Sequence, residues 1–182
     1  MEFDALMSAR GSVSTATMPE WASLAPLHRA LLVAGGTMTD LLEALFSERM
    51  TIAIVAQDLR SAADGHPALE CAAAEPILDR RVVVRGSRSR RAYVRAASQI
   101  CVDRLPSAMF EALQRGDTPL GTLIEHFQLE TLKRVLEVLP QDSAEDGRLE
   151  PVLTRTYLVI NSGRPLMVIH EEFPASLCLP DR

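Results

Sequence analysis

Two features of this chain place chemistry-bearing side chains beside apolar ones: an arginine in phase with valines, and two adjacent glutamates closing an apolar run. If residues 80–85 are extended, side chains alternate between faces. Arg80 then shares a face with Val82 and Val84, whereas Arg81 and Arg85 share the other with Val83. A guanidinium turned toward an apolar interior needs an anionic partner, because an unpaired buried charge is very costly. That partner is either a ligand carboxylate, held by parallel N–H bonds, or a structural carboxylate reached by a snorkelling stem. Near the C-terminus, Glu171 is in phase with Met167, Ile169 and Phe173, while Glu172 is in phase with Val168 and His170. Both faces read as apolar, so alternation alone does not choose between the glutamates. A carboxyl on an apolar face has its pKa raised by desolvation, which suits a general acid near neutrality; the alternative is a pair of solvated strand-end acids. His170, next to them, is a possible modulator that titrates or accepts a proton, or else a structural histidine. Thr118-Pro119-Leu120-Gly121 reads as a tight turn whose free backbone amides could meet an anion.

These residues need elements to position them. Apolar spacing predicts a helix from Trp21 to Val33, broken by Gly35-Gly36. Asp40 as N-cap with Glu43 at the third helical position predicts a short helix over 40–48. Thr51–Val55, extending toward Leu59, reads as a strand, and 62–76 as mostly loop. The runs Arg80–Arg85 and Ala92–Val102, joined by Gly86-Ser87-Arg88-Ser89, read as a hairpin. Pro106–Arg115 reads as a helix ended by Gly116, Pro119 opens another helical turn, and Leu129–Val138 carries helical spacing. Residues 139–150 read as a polar loop. Thr156–Ile160 and Leu166–Ile169, around Asn161-Ser162-Gly163-Arg164, give the clearest hairpin. Because hairpins outnumber βαβ units, the expected fold is α+β, an antiparallel sheet with helices on one face. Residues 1–20, rich in small and hydroxyl residues, read as a loose arm, and 21–182 as one domain.

Composition excludes several classes of function. Of the 182 residues 47% are hydrophobic and 24% charged, an ordinary globular balance. A net charge of -5 argues against general binding to nucleic acid or anionic membranes. The arginines at 80, 81, 85, 88, 90, 91 and 95 have only Tyr93 among them for base stacking, so a solvated hairpin tip is the better reading. Cys71, Cys101 and Cys178 lie far apart in sequence with no zinc-type spacing, so buried reduced thiols and no metal are expected. No apolar run approaches the ~18 residues of a membrane span. The first residues carry Glu2 and Asp4 without an apolar signal core, which predicts a cytoplasmic protein.

Several of these signals recur in one order. Gly36-Thr37-Met38-Thr39 precedes a helix, Arg80 opens a strand, and Val102-Asp103-Arg104-Leu105-Pro106 and Thr118-Pro119-Leu120-Gly121 follow. The run from Asn161 to Pro174 closes the series. In this the chain resembles the chorismate pyruvate-lyase family, above all its shorter actinobacterial members, over most of residues 27–174. The resemblance implies a six-stranded antiparallel sheet with helical flaps over a buried ligand. It implies conversion of chorismate to 4-hydroxybenzoate and pyruvate with no cofactor. By position it also implies that Arg80 holds the substrate carboxylate, that Glu171 faces the hydroxyl and ether end, and that Met38 and Leu120 supply backbone amides and apolar contact. His170 and Ala97 depart from the family pattern near the implied site. Two other readings stay open: an enzyme of this fold acting on another carboxylic acid in secondary metabolism, and a non-catalytic effector-type domain. The latter normally follows a DNA-binding module of about 70 residues, and only 26 residues precede Leu27.

Overall fold

A computed structural model of the chain describes residues 24–61, 65–116, 118–145 and 148–178. The expected N-terminal arm lies outside the described residues. The chain twice follows a pair of helices with three strands. Helices α1 (Pro26–Val33) and α2 (Met38–Phe46) lead into β1 (Met50–Ser61), β2 (Pro76–Gly86) and β3 (Ala92–Cys101). Helices α3 (Ser107–Arg115) and α4 (Leu120–His126) lead into β4 (Thr131–Glu145), β5 (Arg148–Asn161) and β6 (Arg164–Pro174). The six strands form one antiparallel sheet in the order β1-β2-β3-β6-β5-β4, so the two triplets meet where β3 pairs with β6. The fold is therefore α+β, as the excess of hairpins predicts.

Local chemistry accounts for most boundaries. Pro26 opens α1, where a missing N–H costs nothing, so the helix starts later than Trp21. Helix α2 begins at Met38 after the extended residue Thr37 (φ -71°, ψ 135°), not at Asp40. Asp40 sits inside the first turn, where a carboxylate meets the positive end of the helix, and accepts the hydroxyl of Thr37. Gly116 ends α3 at φ 81°, with no room for a side chain: a Cβ there would fall 2.2 Å from Cδ1 of Ile54. The β5–β6 turn places Ser162 and Gly163 at φ 50° and 76°, the paired left-handed residues that match the twist of a two-residue hairpin.

One stretch departs from its sequence pattern. Leu129–Val138, expected as a helix, belongs largely to β4, and the expected 139–150 loop is the body of the β4–β5 hairpin. The ladder runs from Thr131↔Asn161 to Glu145↔Arg148 and satisfies the outer edge of β5. A bulge between Val135 and Glu137 explains the misleading spacing. The extra residue puts Val135 and Val138 on the same face although they are three apart, while Leu136 packs behind the sheet. Helix-like spacing here is a strand with one residue inserted.

Both helix pairs cover the same face. Leu31 and Leu42 of α1 and α2 pack on Val84, Val94 and Phe173 at one end. Met109, Leu113 and Leu123 of α3 and α4 pack on Ile100, Val159 and Met167 at the other. The reverse face carries a smaller cluster beneath residues 66–71, in which Leu69, Cys71, Ile77, Cys101 and Val168 meet. The arginine-rich β2–β3 tip folds onto Glu48, which accepts from the Ser89 hydroxyl at 2.6 Å, the Tyr93 hydroxyl at 2.7 Å and the backbone of Arg88 and Ser89. Those hydrogen bonds, Ser89's first, hold the Glu48 carboxyl at a pKa of about 2. Arg88 donates to the Ser47 carbonyl at the end of α2 and Arg91 to that of Ser176 just after β6, so these arginines tie the tip to the protein's own backbone.

Because Leu113 is fully buried between α3 and the sheet, Leu113→Ala should cost about 2–5 kcal/mol through the cavity it leaves. Glu111→Ala, exposed on the same helix, should change stability by less than about 0.5 kcal/mol. Urea unfolding midpoints at unchanged slope measure both.

Candidate active site

Between the two apolar clusters, the helix-covered face of the sheet carries a row of polar side chains from four strands. Register fixes which ones. Arg80 on β2 pairs with Ser98 on β3; Ser98 pairs with Ile169 on β6; Ile169 pairs with Tyr157 on β5. Two residues along, Ala96 faces Glu171, and Glu171 faces Arg155. Above them lies a cavity of about 330 Å³, within the range of small-molecule sites. Its roof is the Gly35–Thr39 segment leading into α2 and the Pro119–Gly121 segment leading into α4. The two roof segments touch: a Cβ on Gly121 would lie 2.8 Å from Cγ2 of Thr37. Met38 and Leu120 are each the first residue of a helix, where backbone amides have no acceptor within the helix.

Two guanidiniums on this face live under different conditions. Arg155, 2% exposed, is saturated. Its Nε and Nη2 donate to Oε2 of Glu171 at 3.1 and 2.6 Å, and Nη1 donates to the carbonyls of Leu31 and Leu32 at 2.9 and 2.8 Å. Arg80 is 3% exposed, yet its Nε and Nη2 have no hydrogen-bond partner among the described residues. Burial lowers its pKa, and a guanidinium stays protonated all the same. Among the described residues, Arg80 is thus a buried cation on the cavity wall with two nitrogens that meet no acceptor, an arrangement native proteins rarely leave unanswered.

Glu171 is likewise buried and lines the cavity. Besides Arg155 it accepts the hydroxyl of Tyr157 at 3.0 Å through Oε1. Burial, and next the charge of Glu171, push the Tyr157 pKa well above its usual value, so this phenol remains a donor. Strand alternation had suggested a proton-bearing acid in an apolar setting. The structure presents an acceptor in an ion pair, because Arg155 sits directly across the strand pair.

Of the residues singled out from sequence, Arg80, Glu171, Met38 and Leu120 all line this cavity. His170 does not. It pairs with Ala97 on the reverse face, where Nδ1 lies 2.9 Å from the Thr156 hydroxyl and Nε2 lies 3.9 Å from Glu172. Burial lowers its pKa, with Glu172 and then Glu171 acting against. Neighbouring residues in a strand point to opposite sides, so His170 and Ala97 are near the cavity in sequence and separated from it by the sheet. Glu172 shares that reverse side, accepting from Ser143 at 2.9 Å.

Three cavity or support residues escaped the sequence reading. Arg155 precedes the recognised β-run and Tyr157 lies within it, and only their period-two phase with Val159 marks them. Lys133 was hidden by the helical spacing of 129–138. Its one signal is that it is the sole lysine among 19 basic residues. Its ammonium donates to the Gly36 carbonyl at 2.8 Å and lies 5.6 Å from the centre of the Tyr157 ring. Burial lowers its pKa, and the Glu171 carboxylate opposes that.

Among the described residues, Cys71, Glu75 and Cys101 bring metal-type donor atoms together, all within 4.8 Å, although distant in sequence. They belong to the reverse-face cluster and not to the cavity. Burial, reinforced by the Cys101 thiol, pushes the Cys71 pKa up to about 12, and Arg104 already pairs with Glu75 at 3.5 Å. Cys71 and Cys101 pack within the apolar cluster, and the Glu75 carboxylate beside them is paired with a largely buried Arg104.

The Arg155–Glu171 pair yields a stability test. Arg155→Met strands a buried carboxylate and should destabilise by about 3–5 kcal/mol. Arg155→Met combined with Glu171→Leu should recover most of the loss, because the stranded charge is then gone; thermal and denaturant unfolding of the three proteins measure this.

Sequence comparison places the chain among known proteins. Residues 32–179 match the family described as chorismate pyruvate-lyase, Rv2949c-like. The chain is 30% identical over 159 residues to a chorismate pyruvate-lyase of Mycobacterium tuberculosis, covering 82% of this chain and 80% of that one. It is 30% identical over 156 residues to the Mycobacterium leprae chorismate pyruvate-lyase, covering 74% of its length. In fold it is similar to the effector domain of PhnF from Mycobacterium smegmatis, with a TM-score of 0.59 at 14% identity over 79% of this chain and 91% of that domain. At that identity the likeness concerns the fold alone. The sequence match is of another order, and by it the chain belongs to the Rv2949c-like chorismate pyruvate-lyase family.

Proposed function

We propose that this protein converts chorismate to 4-hydroxybenzoate and pyruvate in the cavity between its two helix pairs. The observation that carries the reading is the buried Arg80, two of whose nitrogens meet no partner among the described residues, lining the same cavity as the Glu171 carboxylate. The cavity thus offers a cation for a carboxylate and an acceptor for a hydroxyl, the two ends of a 4-hydroxy ring acid. Family membership supplies the reaction.

In that reaction the bond between the ring and the ether oxygen breaks, and the electron pair leaves with enolpyruvate. The ring carbon bearing the hydroxyl loses its hydrogen as a proton. The ring becomes aromatic, and enolpyruvate takes up a proton on carbon to become pyruvate. Aromatisation supplies the driving force, so the reading assigns no step to a metal or organic cofactor. Arg80 orients the ring carboxylate through its planar fork. Glu171, aimed by Arg155 and Tyr157, accepts the ring hydroxyl beside the carbon that loses its proton. The roof, with the first-turn amides of Met38 and Leu120, encloses the ligand and excludes water. The substrate is a small molecule; neither nucleic acid nor membrane enters the scheme.

Incubating purified protein with chorismate and following 4-hydroxybenzoate by ultraviolet absorbance tests the proposal. A binding-only domain of this fold would hold 4-hydroxybenzoate and leave chorismate unconverted. Arg80→Ala should lose activity far more than Arg81→Ala, whose side chain is exposed on the reverse face, and Arg80→Lys should remain impaired for want of the planar fork. Equal losses from Arg80→Ala and Arg81→Ala would sink the assignment. Glu171→Gln should cut turnover by roughly 10²–10⁴ while 4-hydroxybenzoate still binds, and Glu172→Gln should be near wild type. At about 100-fold excess over its dissociation constant, 4-hydroxybenzoate should stabilise the protein by roughly 2.7 kcal/mol, and benzoate, lacking the hydroxyl, by less.

A further inference from the structure

Chorismate carries two carboxylates, and the assignments above supply a cation for only one of them. The second belongs to the enolpyruvyl group and leaves with it. With the ring carboxylate at Arg80 and the opposite hydroxyl at Glu171, the geometry of the ring decides where the second must go. The ether carbon is next to the hydroxyl carbon, so the enolpyruvyl group projects past Glu171, away from β2. Two strands lie on that side, β5 and then β4.

Of the basic side chains on this face, Arg155 is committed to Glu171 and to two carbonyls. Lys133 on β4 also lines the cavity. Among the described residues its ammonium meets one acceptor, the uncharged Gly36 carbonyl at 2.8 Å, and no carboxylate at ion-pair distance. Four strand spacings of about 4.8 Å separate β2 from β4, roughly 19 Å between backbones. Both side chains are long and both line the one cavity between those strands, so the gap a dicarboxylate would bridge is shorter than the backbone separation. A compact ammonium on a rotatable stem also suits a group that must be released after bond cleavage, where a planar fork would grip it.

We propose that Lys133 binds the enolpyruvyl carboxylate and so distinguishes the dianionic substrate from the monoanionic product. The assignment rests on the reading of the cavity as a chorismate site. When the cavity holds no dianion, the same ammonium ties β4 to the α1–α2 junction through Gly36, so substrate would exchange one acceptor of Lys133 for a charged one.

The test compares two ligands on the intact chain by titration calorimetry: 4-hydroxybenzoate, and 3-(carboxymethoxy)-4-hydroxybenzoate, an aromatic dicarboxylate that cannot eliminate. Lys133→Gln retains an N–H donor for Gly36 but removes the charge. It should weaken the dicarboxylate by about 10–100-fold, the range for a charged hydrogen bond, and shift 4-hydroxybenzoate by less than about threefold. Lys133→Arg should keep most of the dicarboxylate affinity, and kcat/KM for chorismate should fall in Lys133→Gln in step with it. Equal weakening of both ligands would show that Lys133 only braces the roof, and unchanged affinity for both would remove it from recognition; either result overturns the proposal. Should the wild type fail to convert chorismate, the proposed reaction falls, while the two-ligand comparison still decides on Lys133 by itself.

Discussion

A guanidinium taken out of water must be given back its hydrogen bonds, and among the described residues two nitrogens of Arg80 are given none. The contrast with Arg155 shows how unusual that is. Both arginines stand on the covered face of one sheet and both are nearly inaccessible. Arg155 has a carboxylate and two carbonyls around it, and it reads as structure. Arg80 has valines beside it and a cavity in front of it. Leaving two of its nitrogens dry costs folding free energy, and the fold tolerates this because hydrophobic clusters at both ends of the sheet stabilise the whole. Under the proposed function, that unmet demand is what a ligand carboxylate would answer.

The rest of the architecture serves that vacancy in the hydrogen bonding. Two helix pairs, one ahead of each strand triplet, close over the same face from opposite ends and meet where Gly121 passes Thr37. Only a residue without a side chain allows that approach. The roof includes the starts of α2 and α4, whose first-turn N–H groups have no acceptor within the helix. The Arg155–Glu171 pair holds the second charged group on the cavity wall, since a carboxylate gripped by a guanidinium and a phenol cannot rotate freely.

A similar fold occurs in the effector domain of PhnF at 14% identity, and a scaffold by itself does not determine chemistry. A cradle that encloses a small acid serves either holding or conversion. What separates the two is the set of charges and acceptors around the ligand, and the polar side chains on this cavity come from strands in both halves of the sheet.

Much of this was legible in the residues themselves. Alternation put Arg80 with Val82 and Val84 on one side and Arg81 on the other, because strand side chains alternate whatever surrounds them. Gly116 and the Asn161–Arg164 turn announced their backbone conformations, and the predominance of hairpins announced an antiparallel sheet. Other features depended on partners far away in the chain. Alternation could not choose between Glu171 and Glu172, since both faces of β6 are apolar; the resemblance chose Glu171, and only the tertiary structure set Arg155 across from it. His170 and Ala97, adjacent in sequence to site residues, were separated from the cavity by the sheet itself. Leu129–Val138 mimicked a helix because one bulged residue shifted its phase, and that bulge exists only in register with β5. With it went Lys133, whose arrival in the cavity no local pattern could announce. Local dihedral preferences and side-chain parity travel with the sequence; which face is covered, and which charge stands opposite which, is decided when β3 pairs with β6 and the helices close over one side.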